Sequence, residues 1–191
     1  MKNLITISAP SGSGKTTLCK ALQEVNSEIE WSVSYTSREK RSIEIDGIDY
    51  NFISPDKFES LILKQELAEW ENVHGFYYGT PKASLQNVIN NNQTMLLELD
   101  VKGALRIKQL YDKNTYSIFI IPPSISHLRE RLLKRGTDSE KRIEIRLQRF
   151  EQEMGYKDRF DHIMINEDIK LATEELINIV NNLNKGVFNG S

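Results

Sequence analysis

A single cysteine, Cys19, stands in the 191-residue sequence, so neither an intrachain disulfide nor a thiolate metal cluster is available to it. Cys19 reads instead as a small packed side chain. No apolar run reaches the roughly 20 residues that a membrane-spanning helix needs. Met1, Lys2 and Asn3 lead straight into the strand-like Leu4, Ile5, Thr6 and Ile7. The expectation is a cytoplasmic protein with no membrane partner. An excess of one charge is missing too: 25 Lys and Arg face 27 Asp and Glu, a formal net charge of −2. With no global field to attract nucleic acid, none is expected as a partner, and any anion binding must be local. The histidines His74, His127 and His162 are too scattered for metal-ligand spacing and read as structural or surface residues. No repeat or low-complexity tract appears, and the length suits one compact catalytic unit with attached lobes.

What is present is an alternation of strands and helices. Residues 4–8 are apolar and β-prone, and after a stretch of small residues, 17–25 carry apolar side chains at helical spacing. Further strands are expected at 95–99, 116–121 and 162–165, with helices at 101–110, from a Ser126 cap toward Lys134, and at 171–183. That order predicts an α/β fold with a parallel sheet flanked by helices. Residues 33–81 differ, being rich in Tyr, Ser, Gly and charge, and read as an inserted lobe. The expected division is a core of 1–32, 82–125 and 158–185, the inserted lobe 33–81, a charged helical region 126–157 and a flexible tail 186–191.

Ala9, Pro10, Ser11, Gly12, Ser13, Gly14, Lys15 and Thr16 match the phosphate-loop pattern G-x-x-x-x-G-K-[ST], except that Ala9 replaces the first glycine. Glycines suit this job because the backbone must curl until successive N–H groups face one anion, and a Cβ would obstruct both curl and approach. The helix that follows adds its positive end. Lys15 is placed to reach the β- and γ-phosphates, the Thr16 hydroxyl to hold Mg²⁺, and Thr17 to assist. The bland alternative is a Gly/Ser turn before an ordinary helix. By itself the loop implies a nucleoside triphosphate and names no reaction.

Within the lobe, Ser34, Tyr35, Thr36, Ser37, Arg38, Glu39, Lys40 and Arg41 are followed by Glu44, Gly47, Asp49 and Tyr50, then Glu69 and Trp70, then Tyr77, Tyr78, Gly79 and Thr80. Arg38 and Arg41 are close enough to converge on one phosphate through paired guanidinium hydrogen bonds, with the hydroxyls of Tyr50 and Tyr78 completing a cage. These motifs, with Glu98 to Gly103 and Arg135 to Asp138, resemble those of guanylate kinases over essentially the whole chain. The resemblance implies a P-loop nucleoside monophosphate kinase that moves the γ-phosphoryl group of ATP onto GMP, giving ADP and GDP, with Mg²⁺ as cofactor. It also implies that Arg38, Arg41, Tyr50 and Tyr78 hold the GMP phosphate. Glu69 would read guanine, whose N1 and amine protons suit a carboxylate acceptor, with Ser34 and Thr80 assisting. Apart from the resemblance, a glutamate beside a tryptophan reads as a solvated strand residue. Guanylate kinases usually carry prolines and a glycine between Arg38 and Glu44, where this chain has Lys40, Ser42 and Ile43; Phe76 replaces a frequent asparagine.

Glu98 and Asp100 lie two apart at a strand end and are expected on one face beside the phosphate loop, with Asp100 toward GMP and, through water, Mg²⁺. Arg131 and Arg135, like Arg142 and Arg146, are four apart and share helix faces across the Gly136, Thr137, Asp138 hinge, forming a cationic lid. The resemblance assigns Arg131, Arg135 and Arg146, with Lys15 and Arg38, to catalysis, and Asn166 to adenine; Lys134, Lys141 and Arg149 read as solvated surface. The expected partners are ATP and GMP, with dGMP as a second acceptor, for a monomer or homodimer. Two rivals remain: a kinase of the same fold acting on a ribose bisphosphate, and an interaction module of this family that binds phosphopeptides. The first has no guanine edge for Glu69 and Ser34 to read, and the second generally lacks the intact loop.

Overall fold

Period-two alternation organises the centre of the molecule. In β1 (Leu4–Ser8) every residue is buried. Ile5 and Ile7 pack with Leu18, Cys19 and Leu22 of α1 (Lys15–Val25), whereas Leu4 joins a second cluster on the other side. A strand covered on both faces belongs to the interior of a parallel sheet. The computed structural model describes residues 2–10, 12–73, 75–135 and 139–184. Ser11, His74, the Gly136–Asp138 hinge and the 185–191 tail lie outside the described residues, as do the side chains of Arg135 and Asn184.

After α1 come β2 (Glu30–Trp31), β3 (Tyr35–Thr36), β4 (Asn51–Phe52), α2 (Pro55–Leu63), β5 (Leu67–Val73) and β6 (Phe76–Pro81). The chain continues through α3 (Lys82–Asn90), β7 (Met95–Glu98), α4 (Val101–Leu110), β8 (Thr115–Ile121), α5 (Ile125–Arg135), α6 (Glu140–Met154), β9 (His162–Ile165) and α7 (Ile169–Asn184). Five strands form a parallel sheet in the order β2-β7-β1-β8-β9, and four form a separate sheet, β4-β3-β6-β5. The second sheet is mixed: β3 runs parallel to β4 and antiparallel to β6. It occupies the stretch expected as an inserted lobe.

The two cores explain the helices. One lies between the sheet and α1 with α7, containing Leu22, Ile118, Met164, Leu176 and Val180; the other lies against α3 and α4, containing Leu85, Val88, Leu97, Ala104 and Ile107. A small third cluster of Leu128, Leu132, Ile143 and Leu147 joins α5 to α6. Two local expectations change. The α5 cap is Ser124, whose Oγ accepts from His127 N at 3.3 Å, while Ser126 lies inside the helix. Asp100 is past the end of β7 and is the N-cap of α4, its side chain accepting from Gly103 N, so it does not share a strand face with Glu98. A carboxylate there satisfies an orphan helix N–H, which outweighs one more strand residue. Among the described residues no helix is long and apolar enough to cross a membrane.

Candidate active site

The loop after β1 reaches the carboxyl edge of the sheet, where parallel α/β folds present ligand sites. Gly12 and Gly14 have φ of +96° and +88°, the region where a side chain is strained. A Cβ on Gly12 would also stand 2.9 Å from Leu128 Cδ1 of α5, and one on Gly14 would run into Nδ2 of Asn166. Ala9 is absent from the positive-φ positions and is buried, so the first glycine of the pattern is dispensable here. Ser13 N donates to Pro10 O at 3.1 Å, tightening the turn into α1. Asn166, almost fully buried, donates from Nδ2 to Ser13 O at 2.8 Å, so its amide braces the loop from behind.

At the head of α1, Lys15 Nζ donates to Leu99 O at 2.7 Å and lies 3.9 Å from Glu98 Oε1. Thr16 Oγ1 donates to Glu98 Oε1 at 2.6 Å, and Thr17 is exposed. Of the two acids expected near the metal, Glu98 is therefore the one touching the phosphate loop. Asp100 commits Oδ1 to Gly103 N at 2.7 Å and lines the same cleft. A hydroxyl and a carboxylate 2.6 Å apart, with a second carboxylate nearby, suit Mg²⁺, which takes few protein oxygens and shares substrate phosphates. No cluster of three or more acidic, His or Cys side chains fit for a metal occurs among the described residues.

A cleft of about 790 Å³ runs from this loop to the lobe, bringing together Lys15, Thr16, Ser34, Arg41, Tyr50, Glu69, Tyr78, Glu98 and Asp100. Arg38 is held behind its wall. Its Nε donates to Tyr78 OH at 3.2 Å, and Nη2 and Nη1 donate to Glu44 Oε1 and Oε2 at 2.7 and 3.0 Å. Its guanidinium also lies 5.7 Å from the Tyr50 ring centroid and 5.6 Å from that of Phe52. Hydrogen bonds from Arg38 hold the Glu44 carboxyl down at about 2. Arg41 is exposed, but its backbone N–H donates to Glu44 Oε2 at 2.8 Å.

The same loop is stitched further by Ile45 N to Asp49 Oδ2 at 2.7 Å and Phe52 N to Asp46 Oδ1 at 2.9 Å. Carboxylate-to-backbone bonds do here what prolines do elsewhere: they reduce the loop's freedom. Ile43, in that loop, is almost fully exposed.

Glu69 on β5 faces Thr80 on β6, and Thr80 Oγ1 donates to Glu69 Oε1 at 2.5 Å. Thr80 itself is fully buried and meets the cleft only through that carboxylate. Burial pushes the Glu69 carboxyl up to about 7; Asp100 adds repulsion, and the bonds from Thr80 oppose the shift.

The helical pair is less convergent. Arg131 donates from Nη2 to Asn166 O at 2.9 Å and Glu167 O at 3.2 Å, so it meets the β9–α7 segment and not the cleft. Arg146 is half-buried on α6 and also does not line the cleft, while Arg142 is exposed. Arg129 and Glu144 pair across α5 and α6 at 3.1 Å. Sequence reasoning gave no role to Glu153. Near the end of α6, its Oε2 is buried without a hydrogen-bond partner among the described residues, and burial raises its pKa while Lys15 opposes the rise. Nor did it see Glu44 as the clamp on Arg38, although an acid six residues beyond an arginine in one loop was a visible signal.

The guanylate kinase family model matches residues 1–183. The chain is 43% identical over 173 residues to the guanylate kinase of Carboxydothermus hydrogenoformans, covering 91% of this chain and 84% of that one. It is 41% identical over 177 residues to the guanylate kinase of Thermotoga maritima, covering 93% and 85%. The crystal structure of guanylate kinase from Anaplasma phagocytophilum superposes with a TM-score of 0.78 at 30% identity, over 95% of this chain and 85% of that one. A glycine-built loop at the sheet edge, an acid-lined cleft and agreement along nearly all of the sequence therefore have one reading: the chain belongs to the guanylate kinase family, nucleoside monophosphate kinases that use ATP to phosphorylate GMP.

Proposed function

We infer that this chain catalyses the ATP-dependent phosphorylation of GMP to GDP with the side chains that line and back the cleft. The observation that carries the reading is the cleft itself, which presents the phosphate-loop residues Lys15 and Thr16 and the lobe residues Ser34, Arg41, Tyr50, Glu69 and Tyr78 to one volume. ATP lies with its phosphates in the loop of residues 9–17 and its adenine toward Asn166. GMP lies in the lobe, its phosphate toward Arg38, Arg41, Tyr50 and Tyr78, and its base toward Glu69, Ser34 and Thr80.

An oxygen of the GMP phosphate attacks the γ-phosphorus, the bond to the β–γ bridging oxygen breaks, and ADP carries away the electron pair. No general base is needed, because the attacking group is already anionic. The chief barrier is bringing two strongly negative groups together. Lys15 answers it from the donor side and Arg38 and Arg41 from the acceptor side, while Arg131, Arg135 and Arg146 of the lid close over both. Thr16 and Glu98 or Asp100, directly or through water, would hold Mg²⁺, which would supply charge neutralisation on the donor phosphates. Closure keeps water from the γ-phosphate. The polypeptide acts in the cytoplasm on freely diffusing nucleotides, with dGMP as a second acceptor, as a monomer or homodimer and without nucleic acid or membrane.

A coupled assay with ATP, Mg²⁺ and each nucleoside monophosphate tests this. GMP is the good acceptor and AMP, CMP and UMP are poor ones; equal turnover of AMP defeats the assignment of base recognition to the lobe.

A further inference from the structure

Gly103 occupies a helix position where glycine has no conformational reason to be. It lies in the first turn of α4, is buried, and is not among the residues with positive φ. Within a helix glycine is a worse choice than alanine, since it leaves more backbone entropy to lose. Space explains it better. A Cβ here would stand 2.9 Å from Glu69 Oε2, 3.3 Å from Glu69 Cδ and 3.2 Å from Asp100 Oδ1. Thr80 already holds the other Glu69 oxygen, at 2.5 Å, and Gly103 N–H holds Asp100 Oδ1 at 2.7 Å. The helix start therefore meets both acids of the acceptor side, one through a hydrogen bond and one through bare clearance.

We propose that Gly103 is a specificity-determining position, whose missing side chain is the gap that lets Glu69 hold the orientation needed to read guanine. The proposal rests on the assignment of Glu69 to the base. The nearest obstacle to a Cβ is the far end of a flexible side chain and not backbone, so the carboxylate moves and the helix stays. Alanine at this position thus separates folding from recognition. The fold survives, the phosphate loop is not among the nearest neighbours of the added Cβ, and the Glu69 carboxylate is turned away from the guanine N1 and amine protons. Gly103 is a positioning residue, acting on the base through Glu69.

The test is a double-mutant cycle of Gly103→Ala and Glu69→Ala, with GMP and with inosine monophosphate, which lacks the exocyclic amine, as acceptors. Gly103→Ala is expected to raise KM for GMP about tenfold or more, the usual effect of misdirecting a charged hydrogen-bond acceptor. KM for ATP stays unchanged, and the preference for GMP over inosine monophosphate shrinks. Glu69→Ala alone produces a comparable or larger loss, and adding Gly103→Ala to it costs nothing more. Thermal melting of Gly103→Ala matches the parent, so a variant that fails to fold overturns the proposal. So does a folded Gly103→Ala that keeps both its KM for GMP and its preference between the acceptors, or losses that multiply in the double variant. If Glu69→Ala leaves GMP kinetics unchanged, the assignment of Glu69 fails instead, a result distinct from failure at Gly103.

Discussion

The phosphate loop and the lobe are built from different materials. The phosphate loop is a run of consecutive residues, shaped by Gly12 and Gly14 at positive φ and offering mostly backbone, with Lys15 as its cation. The lobe is assembled from side chains far apart in the chain: Arg38 meets Tyr78, and Glu69 meets Thr80 across two strands. A backbone cradle takes any triphosphate tail, whereas a set of oriented side chains can choose a base. The lobe holds a carboxyl held down at about 2, Glu44, and one raised to about 7, Glu69.

The contrast is broken most severely at the loop. Lys15→Ala is expected to reduce kcat by on the order of 10³-fold or more, as for other cations that neutralise a transferring phosphoryl group. Circular dichroism should show the fold intact, because the loss of its bond to Leu99 O leaves one carbonyl unpaired and no cavity in the core. Near-normal turnover would remove the loop from the chemistry.

On the lobe side the leading effect is one of pH. On the proposed assignment of Glu69 to the base, guanine needs the ionised carboxylate, and burial pushes that carboxyl up to about 7. KM for GMP is expected to rise about tenfold as pH falls from 8 to 6, following the ionised fraction. A Glu69→Gln enzyme should show a flatter profile, and equal slopes in the two proteins would exclude Glu69 as the titrating group. The link to stability has the opposite sense. The folded pKa is raised from 4.5, so the neutral acid is the form the fold prefers. The contribution of this group is most favourable below about 4.5 and is lost as pH rises through about 7. Glu69→Gln should therefore raise Tm more at pH 8 than at pH 5, measured by thermal denaturation.

A smaller effect is expected at Glu44. Removing its charge in Glu44→Gln frees the Arg38 fork and loosens the loop that Arg41 shares, raising KM for GMP by about threefold to tenfold with KM for ATP unchanged. A lower KM for GMP would mean that Glu44 competes with the substrate phosphate instead of orienting Arg38. Least of all should follow from Arg129→Ala, which breaks an exposed pair between α5 and α6. Such pairs contribute about 0–1 kcal/mol, so urea unfolding should shift barely, and a large loss would show that the pair holds the two helices together.

Legibility in the sequence followed the same division. β1 and α4 begin and end where their apolar spacing put them, and α1 begins two residues earlier than its spacing predicted. Their signals are local, carried by alternation, helical period and glycine. In the lobe the motifs were visible but the strand arrangement was not, because strands as short as β3 and β4 have too few residues to show a period. Asp100 shows the limit well. Its spacing from Glu98 put both on one face, but the chain leaves the strand at Glu98, and the acid caps the next helix. Asn166 and Arg131 are similar: the sequence put them at the nucleotide, and the fold adds that one braces Ser13 and the other binds the carbonyls beyond β9.

By itself, then, the sequence determined the parallel α/β core, the phosphate loop and the pair of residues, Lys15 and Thr16, that begins α1. Each depends on contacts between near neighbours in the chain, and near neighbours leave periodic or motif signals. Only tertiary structure decided that Glu98 faces Thr16, that Glu44 grips Arg38, and that Gly103 leaves room for Glu69. Those relations depend on where a side chain points after the sheets and helices have packed, a matter of distances through space that one-dimensional spacing does not encode.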